Sequence, residues 1–475
     1  MWSEIGLSIV TWFIIFITHW LYKWNNPKCN GVLPPGSMGF PLIGETLQLI
    51  IPSRSLDLHP FIKTRIQRYG RVFRTSLAGR PVVVSADPEF NNFIFQQEGN
   101  SVEMWYLDTF SKIFELDGET RMNSLGSIHK YIRSKVLNHF GAECLKEKLL
   151  SQVEEIVQKT LRIWSSQASI EVKHATATMV FNFTAKQMFS YDQEKSSEQI
   201  SDTFTNFLYG LMSFPLNIPG TTFHKCMKDK KKMLNMIKNM LKEKQTSTET
   251  CKGDFLDQAI KDLNSKKYLT EDFIVLLSFG ALFASVEAIS TALTLAFKLI
   301  SENPSVVEEL RAEHETILRN RETSDSALTW NEYKSMTFTT QVINEILRLA
   351  NMAPGFLRRT LKDIQVNGYT IPAGWTIMVA TPALQLDPNT FKDPLAFNPW
   401  RWKDLDSIVI SKNFMPFGGG MRQCAGAEYS KAFMATFLHV LLTKYRWTKI
   451  KGGDVVRAPT IGFGDGIQIK VSEKA

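Results

Sequence analysis

The sequence predicts a mainly α-helical protein with a minor β region, placed behind an N-terminal transmembrane helix. Three features predict this: an uncharged apolar run at residues 5–22, a helical hydrophobic period that dominates from roughly residue 88 to 350, and short β-branched runs on either side of that region. With 44% hydrophobic and 21% charged residues, the chain has the composition of an ordinary globular protein, which excludes a disordered or low-complexity chain.

The N-terminal run, IGLSIVTWFIIFITHWLY at residues 5–22, is just long enough to cross a bilayer as a helix. Trp20 and Trp24 cluster at its end, where amphipathic rings suit the headgroup region. Lys23 and Lys28 follow, so the positive-inside rule places the rest of the chain in the cytosol. A cleaved signal peptide is the alternative, but the run lacks a preceding basic region and a following small-residue cleavage site. We therefore expect a single-pass anchor.

A proline- and glycine-rich segment follows the anchor. It contains LPPG at residues 33–36 and GFP at residues 39–41, where prolines without backbone N–H groups stiffen the chain. The expected division is an anchor at residues 1–24, a hinge at 25–50 and one large domain at 51–475, with an ordinary loop as the alternative for the hinge.

The charge and the cysteines limit the class of protein. A formal charge of +8 and a pI near 9.0 fit an anionic membrane surface or an acidic protein partner. No nucleic-acid-binding motif accompanies the charge, so we expect no nucleic acid partner. The cysteines, odd in number and without CxxC spacing, argue against a disulfide framework or a zinc site and favour a reducing compartment. There are five, at positions 29, 144, 226, 251 and 424.

Several segments have a clear secondary-structure preference. Residues 73–77 and 82–84 predict paired strands, and residues 375–379 predict a strand near the C-terminal end. Residues 225–244 predict a lysine-rich amphipathic helix with a solvated face, for which a membrane-surface role is the alternative.

The apolar stretch at residues 273–300 predicts the most informative helix. Thr270 can cap it, and Glu287 is its one acidic residue. A second transmembrane helix is the alternative on length, but a carboxylate at mid-bilayer is costly unless it is paired. A helix that crosses the interior of a large protein accommodates Glu287 beside a pocket or water. The acid is then a candidate for proton delivery.

Residues 417–426, FGGGMRQCAG, form the strongest local signal. Glycines let the main chain approach a flat group closely, and amide N–H groups in such a loop can donate hydrogen bonds to a sulfur. The apolar helical pattern after Gly426 would place Cys424 beside a helix N-terminus, which favours a thiolate. Arg422 could pair with an anionic substituent of the same bound group. For the loop alone, a simple glycine-rich turn is the alternative.

Three charged residues accompany this loop. Glu345 and Arg348 are spaced i, i+3 on one face of a predicted helix, a pattern that in isolation is usually a surface ion pair of little energetic value. Arg401 lies in FNPWRW at residues 397–402, where aromatics and proline argue against a free loop.

Taken in order, the hinge, the long apolar helix, ExxR at Glu345 and Arg348, Pro-x-Arg at Arg401 and FxxGxRxCxG around Cys424 resemble the cytochrome P-450 superfamily. The resemblance extends from the N-terminal anchor to the C-terminal strands. It implies the cytochrome P-450 fold, with a single large haem-thiolate catalytic domain. It also implies haem b as cofactor, Cys424 as the axial thiolate ligand of the iron, and a buried charge network of Glu345, Arg348 and Arg401.

The resemblance also assigns the cofactor-binding positions, in which basic side chains hold the haem propionates. The implied set is Cys424, Arg133, His129, Arg358, Arg422, Phe417, Gly418 and Gly426. His129 stands where many members carry tryptophan, and it keeps the ability to donate a hydrogen bond.

The implied activity is insertion of one atom of O2 into an unactivated C–H bond, with electrons from NADPH delivered by an NADPH-dependent cytochrome reductase. Members of the family carry a threonine after the acid of the long helix, whereas Ala288 stands at that position here and cannot donate a hydrogen bond. Glu287, Ser285 and Ser290 are therefore the expected catalytic groups for proton delivery.

This departure leaves a second class open, a haem-thiolate isomerase or lyase that rearranges a peroxide without a reductase. The anchor, Glu287, and Lys130 and Lys135 near the predicted haem-proximal face favour the monooxygenase. A non-enzymatic haem-binding protein is a third and weaker hypothesis, because the whole thiolate apparatus is retained.

A narrower resemblance concerns the substrate. The segments at residues 33–36, 214–221 and 397–402 are similar to those of the plant clan of brassinosteroid and triterpenoid oxidases, and within it to the family of cucurbitane- and oleanane-type triterpene hydroxylases, with sterol side-chain oxidases among its relatives. This implies an apolar polycyclic substrate and a catalytic domain on the cytosolic side of the endoplasmic reticulum membrane. The implied substrate contacts are Met104, Trp105, Leu107, Leu282, Phe283, Val286, Ala353, Phe356, Ile461 and Phe463. Their apolar character suits core packing equally well.

Overall fold

The computed structural model describes residues 2–106, 108–116, 126–193, 200–211, 213, 216–246, 253–266, 268–321 and 326–474. Helices dominate the fold, which confirms the predicted class. In chain order the helices are α1 (Trp2–Asn25), α2 (Thr46–Ile50), α3 (Pro60–Tyr69), α4 (Pro88–Gln96), α5 (Asp108–Ser111), α6 (Ser127–Phe140), α7 (Ala142–Cys144), α8 (Leu150–Ser165), α9 (Val172–Phe189), α10 (Ile200–Leu211), α11 (Thr222–Thr246), α12 (Phe255–Ser265), α13 (Glu271–Ser301), α14 (Pro304–Arg319), α15 (Trp330–Ser335), α16 (Thr337–Ala350), α17 (Thr381–Gln385), α18 (Arg401–Asp404), α19 (Ser407–Asn413) and α20 (Ala427–Lys444).

The strands form one five-stranded sheet and smaller ones. They are β1 (Val72–Leu77), β2 (Arg80–Ser85), β3 (Val102–Met104), β4 (Ile170–Glu171), β5 (Phe356–Thr360), β6 (Ile364–Val366), β7 (Tyr369–Ile371), β8 (Thr376–Val379), β9 (Tyr445–Gly452), β10 (Val456–Arg457), β11 (Ile461–Gly462) and β12 (Ile467–Glu473). In the largest sheet the order is β1-β2-β8-β5-β3, with β2 and β8 parallel. The three predicted strands therefore share one sheet, although residues 82–84 and 375–379 are distant in sequence.

The N-terminal helix α1 and the core helix α13 are both long and apolar enough to cross a membrane, but their surroundings differ. None of the window Ile5–Asn25 is buried inside the protein, whereas 56% of the α13 window is buried. Helix α1 therefore suits a membrane anchor, and α13 is a helix of the protein interior. Thr270 caps α13 as predicted, because its side chain accepts a hydrogen bond from Phe273 N at 3.1 Å.

The proline- and glycine-rich segment contacts both the five-stranded sheet and the small sheet of β6 and β7. Pro35 O accepts a hydrogen bond of 2.8 Å from Arg74 N in β1, and Val32 O accepts one of 2.7 Å from Thr370 N in β7. This contact fixes the segment against the globular body at these two points. The division at residues 25–50 stays a prediction.

A buried charge network joins α16 to the segment that precedes the cysteine loop. Glu345 accepts hydrogen bonds from Arg348 at 2.8 and 2.9 Å, from Arg401 Nε at 3.0 Å and from Trp402 Nε1 at 3.0 Å. The Glu345 and Arg348 side chains are fully inaccessible to solvent. Arg348 also donates to the carbonyl oxygens of Gln385 and Pro394, both at 2.8 Å. The expected network of Glu345, Arg348 and Arg401 is thus present in the structure.

Replacing Arg348 with leucine should destabilise the protein severely, by about 3–5 kcal/mol, because Glu345 then keeps a buried charge without its closest partner. Arg359→Leu is the matched control, since Arg359 pairs with Glu103 at the surface and such pairs contribute at most about 1 kcal/mol. Thermal unfolding of the two purified variants measures the difference. Equal unfolding midpoints for the two variants would show that the network contributes little.

Candidate functional site

The glycine-rich loop is held in place by close contact with α4. Gly420 has a φ of +64°, and a Cβ there would lie 2.0 Å from the carbonyl oxygen of Phe95. A side chain is therefore excluded on two grounds, backbone conformation and space. The loop closes with a hydrogen bond of 3.0 Å from Cys424 N to Phe417 O, and α20 begins three residues later at Ala427.

Protein atoms surround Cys424 on most sides, yet part of its surface stays accessible. Burial raises the pKa of Cys424, while a hydrogen bond from the Gly426 backbone and the positive charge of Arg133 oppose that shift. The Cys424 side chain is nevertheless exposed. Cys424 is thus surrounded by protein but keeps an accessible side. A cysteine that binds the metal of a cofactor needs such a position.

The middle of α13 also borders open space. Gly280, Ala284 and Ala288 lie on one face of this helix at intervals of four residues. No atom lies within 4 Å of a Cβ built on Gly280. Ala284 is exposed in a helix whose neighbours Leu282 and Val286 are fully buried. The small side chains of this face therefore leave room beside the helix for a large apolar group.

A cluster of basic residues lies near the cysteine loop. Arg133 donates a hydrogen bond of 2.7 Å to Gln423 O, next to Cys424. Burial lowers the pKa of His129, and the charges of Arg422 and Arg133 lower it further, so all three groups are close together. Arg358 pairs at 2.8 Å with Glu98, which Arg422 also contacts at 3.2 Å. The structure thus brings together His129, Arg133, Arg358 and Arg422, the residues that the family resemblance assigns to the haem propionates; that assignment stays a prediction.

Glu98 is a part of this cluster that the sequence analysis missed. It follows α4 and shows no motif, so its proximity to Arg358 and Arg422 could be seen only after folding. Tyr106 is also near these charges, and burial raises the pKa of its phenol.

Glu287 lies beside a buried lysine that was not predicted either. Lys173 Nζ on α9 is 3.1 Å from Glu287 Oε2, and it donates hydrogen bonds to Ser290 Oγ and Thr291 Oγ1 at 3.0 and 2.5 Å. Thr291 in turn donates to Glu287 Oε1 at 3.1 Å. Burial lowers the pKa of Lys173, and the Glu287 carboxylate opposes that shift. The acid of α13 is thus part of a polar network between two helices.

The two serines expected to deliver protons do not fit that role. Ser290 is fully buried, donates to Val286 O and accepts from Lys173. Ser285 donates to Ala281 O at 2.9 Å and lies 3.2 Å from Thr184 Oγ1 on α9. Because the helical period turns residues 285 and 290 toward α9, neither hydroxyl lies on the face of Ala284 and Ala288.

The expected substrate contacts also need correction on α13. Leu282 and Val286 are fully buried, because they lie on the core side of the helix rather than on its open face. Trp105 is buried with Arg80 over its ring at 5.4 Å, which suits packing.

The other predicted contacts are placed as follows. Phe283 is partly buried in a group of phenylalanines, and Met104 and Ala353 are partly exposed. Phe356 packs against Phe95 at 5.7 Å between ring centroids. Leu107 lies outside the described residues, and Ile461 and Phe463 are 6% and 7% exposed, which fits packing as well as contact.

The residues present fit a haem group. The accessible sulfur of Cys424 would bind the iron, and the basic cluster near the cysteine loop would pair with the two propionates. The small residues on one face of α13 leave space for a large apolar group. Phe417, Gly418 and Gly426 belong to the loop that carries the sulfur. Gly418 has a φ of +67°, and a Cβ there would lie 3.3 Å from the Phe356 ring. The fold and the site thus place this chain in the class of haem-thiolate proteins.

Comparison with known proteins gives the family. The family model "Cytochrome P-450" matches residues 34–463. The chain is 58% identical over 470 residues to beta-amyrin 16-alpha-hydroxylase of Maesa lanceolata, covering 99% of this chain and 98% of that protein. It is 56% identical over 474 residues to cucurbitadienol 11-hydroxylase of Siraitia grosvenorii, with both chains covered in full. A cyanobacterial cytochrome P-450 with bound retinoic acid matches with a TM-score of 0.82 and 24% identity, covering 94% of this chain and all of the other, and so shares the fold.

The chain belongs to the cytochrome P-450 family. It is a haem-thiolate monooxygenase that takes its electrons from NADPH through a reductase. The alternative of an isomerase or lyase receives no support from these two relatives, both of which are named hydroxylases.

Gly420→Ala should lower the haem content per polypeptide and the thermal midpoint, because its Cβ would displace the Phe95 carbonyl and with it the cysteine loop. Gly220→Ala is the matched control. Gly220 also has a positive φ, +94°, but nothing lies within 4 Å of its built Cβ, so only conformational strain of about 1–2 kcal/mol is expected. Haem content by absorbance and unfolding by heat distinguish the two. Native haem content in Gly420→Ala would contradict the role of this contact.

Proposed function

We propose that this enzyme hydroxylates a triterpenoid or sterol skeleton. The observation that carries the proposal is the open face of α13, formed by Gly280, Ala284 and Ala288, in a chain that matches two hydroxylases of triterpenoids over essentially its whole length. A rigid polycyclic hydrocarbon needs a deep, wide and apolar space with few polar groups. Small side chains at intervals of one helical turn provide that width.

Aromatic rings around Phe283, which is only partly buried, support the proposal. Phe283 on α13 lies 5.3 Å from Phe114 and 6.3 Å from Phe110 between ring centroids. Phe207 and Phe279, whose rings are 5.2 Å apart, are fully buried and support this group from the core. Such rings offer a large apolar surface at little conformational cost, which suits a rigid substrate.

Four groups are proposed to hold the haem at its edge and one at its iron. Cys424 supplies the thiolate, and Arg133, Arg358, Arg422 and His129 face the propionates. When bound, the haem supplies the activation of O2. The protein supplies the space, the orientation of the substrate and the protons.

Proton delivery is proposed to run through Glu287. Ala288 has no donor, and the adjacent Glu287 carboxylate, whose side chain is 41% exposed, is the titratable group next to it in sequence. Lys173 and Thr291 hold it by the contacts described above. This carboxylate can accept a proton from solvent and pass it inward through water, with Lys173 as the group that positions it.

The location and the partner follow from the exposed surfaces. Helix α1, apolar and unburied, is proposed to anchor the enzyme in the endoplasmic reticulum membrane with the catalytic domain in the cytosol. There it meets an NADPH-dependent cytochrome reductase near Lys130 on α6, in the neighbourhood of the cysteine loop.

Product analysis tests the substrate class. The full-length protein, an NADPH-dependent reductase and isotopically labelled O2 are incubated with a panel of triterpenes and sterols that includes beta-amyrin and cucurbitadienol. A product that carries the label and depends on NADPH is expected. A normal thiolate–carbonyl spectrum without any labelled product from the panel would exclude this substrate class.

Ala284→Leu should reduce turnover by roughly tenfold or more, since the added carbons occupy the space proposed for the substrate. The thiolate–carbonyl spectrum should stay normal. Ala312→Leu, at an exposed position of α14, is the control and should leave turnover unchanged. If Ala284→Leu has native turnover, the open face does not contact the substrate.

Lys173→Met should lower the product formed per NADPH, on the order of tenfold, because Glu287 loses the cation that orients it. Peroxide release should rise correspondingly. Lys186→Met on the exposed side of the same helix is the control. A lower thermal midpoint with unchanged coupling would mean that Lys173 acts only in folding.

A further inference from the structure

Glu98 carries a buried carboxylate. It belongs to none of the sequence motifs described above, and it has no assigned role in the hydroxylation reaction. Its side chain is fully inaccessible to solvent. Oε1 accepts hydrogen bonds from Met104 N at 2.9 Å and from Arg422 Nε at 3.2 Å, and Oε2 lies 2.8 Å from Arg358 Nε. Two segments that are distant in sequence, around Arg358 and Arg422, therefore meet at this acid.

The two arginines depend on this acid. Burial lowers the pKa of Arg358, and the Glu98 carboxylate is the principal opposing influence. The Arg358 and Arg422 side chains are only 4% and 6% exposed, so the Glu98 carboxylate orients them where little water reaches. Removing one member of a buried charge pair leaves the other charge less well compensated and its position less well defined.

The Glu98 carboxylate also changes the net charge of the basic cluster. Arg133, Arg358, Arg422 and Glu98 leave the cluster positive in total, as two propionates require. The Glu98 carboxylate is the group that limits this positive charge. A fixed negative charge near the edge of the haem stabilises the oxidised iron, which carries one more positive charge than the reduced iron.

We propose that Glu98 is a positioning residue of the haem edge, which holds Arg358 and Arg422 toward the propionates and lowers the reduction potential of the iron. This inference rests on the proposed role of these two arginines. It assigns to Glu98 two separable effects, one on how tightly the haem is held and one on how easily it is reduced.

The test compares three variants of the full-length protein in detergent. Glu98→Gln removes the charge and keeps the shape, and Glu98→Asp keeps the charge but shortens the reach. Glu103→Gln is the matched control, because Glu103 lies nearby in β3 and pairs with Arg359 at the surface. Haem loss is measured by transfer to excess apomyoglobin, and the iron potential by redox titration.

Glu98→Gln should increase the rate of haem loss by about tenfold or more and shift the potential in the positive direction. Glu98→Asp should increase haem loss while it keeps the native potential, and Glu103→Gln should change neither. Native haem loss and native potential in Glu98→Gln would overturn the inference. If Glu98→Gln does not fold, native haem loss in Glu98→Asp would overturn it instead.

Two further variants separate this inference from the haem assignment. If Arg358→Gln and Arg422→Gln both lose haem faster while Glu98→Gln does not, the arginines hold the propionates and Glu98 has no part in it. If neither arginine variant loses haem faster, the assignment of the propionate contacts fails, and the inference about Glu98 fails with it.

Discussion

The buried carboxylate of Glu345 is the interaction on which the geometry of the cysteine side of the protein depends. One side chain accepts hydrogen bonds from α16, from Arg401 and from the indole of Trp402. Isolated charges are too costly to bury, so this acid is stable in the interior only while every donor is present. The requirement ties α16 to residues 398–402, which precede the cysteine loop in the chain.

The cysteine loop at residues 417–426 packs closely against α4 on one side and leaves Cys424 accessible on the other. Glycine makes the close packing possible. Gly420 lets the backbone pass within contact of the Phe95 carbonyl, which places the next residues against α4. Cys424 then lies within the protein with an accessible surface. A sulfur in such a place is poised to bind a metal, because the protein surrounds it without filling the position in front of it.

Helix α13 divides its faces among three tasks. Leu282 and Val286 face the core, Ser285 and Ser290 face α9, and Gly280, Ala284 and Ala288 face open space. The alanine at position 288 belongs to this third face, where it adds room rather than a hydrogen bond. Position 288 can hold either a small residue, which leaves space for a wide substrate, or a residue that places a hydrogen-bond donor beside the oxygen. It cannot hold both. In this chain the small residue occupies it, and the Glu287 carboxylate, paired with Lys173, lies next to it in sequence.

The local elements of the fold were predictable because their causes are local. Strand propensity and turn residues predicted the pairing of residues 73–77 with 82–84, and the cap at Thr270 was predicted because capping involves residues three apart. The sequence also predicted the network of Glu345 and Arg401, through the resemblance to a known family rather than through spacing.

Several local elements followed from the sequence alone, since short motifs and helical periods carry that information. The class of chemistry followed from the resemblance of the cysteine loop and its accompanying motifs to a known family. Tertiary structure decided which face of α13 is open, because the predicted face at Leu282 and Val286 proved to be the packed one. It also decided the partners of the charges. Lys173 and Ser290 are 117 residues apart and Glu98 and Arg422 are 324 apart, and contacts over such separations depend on how the whole chain packs.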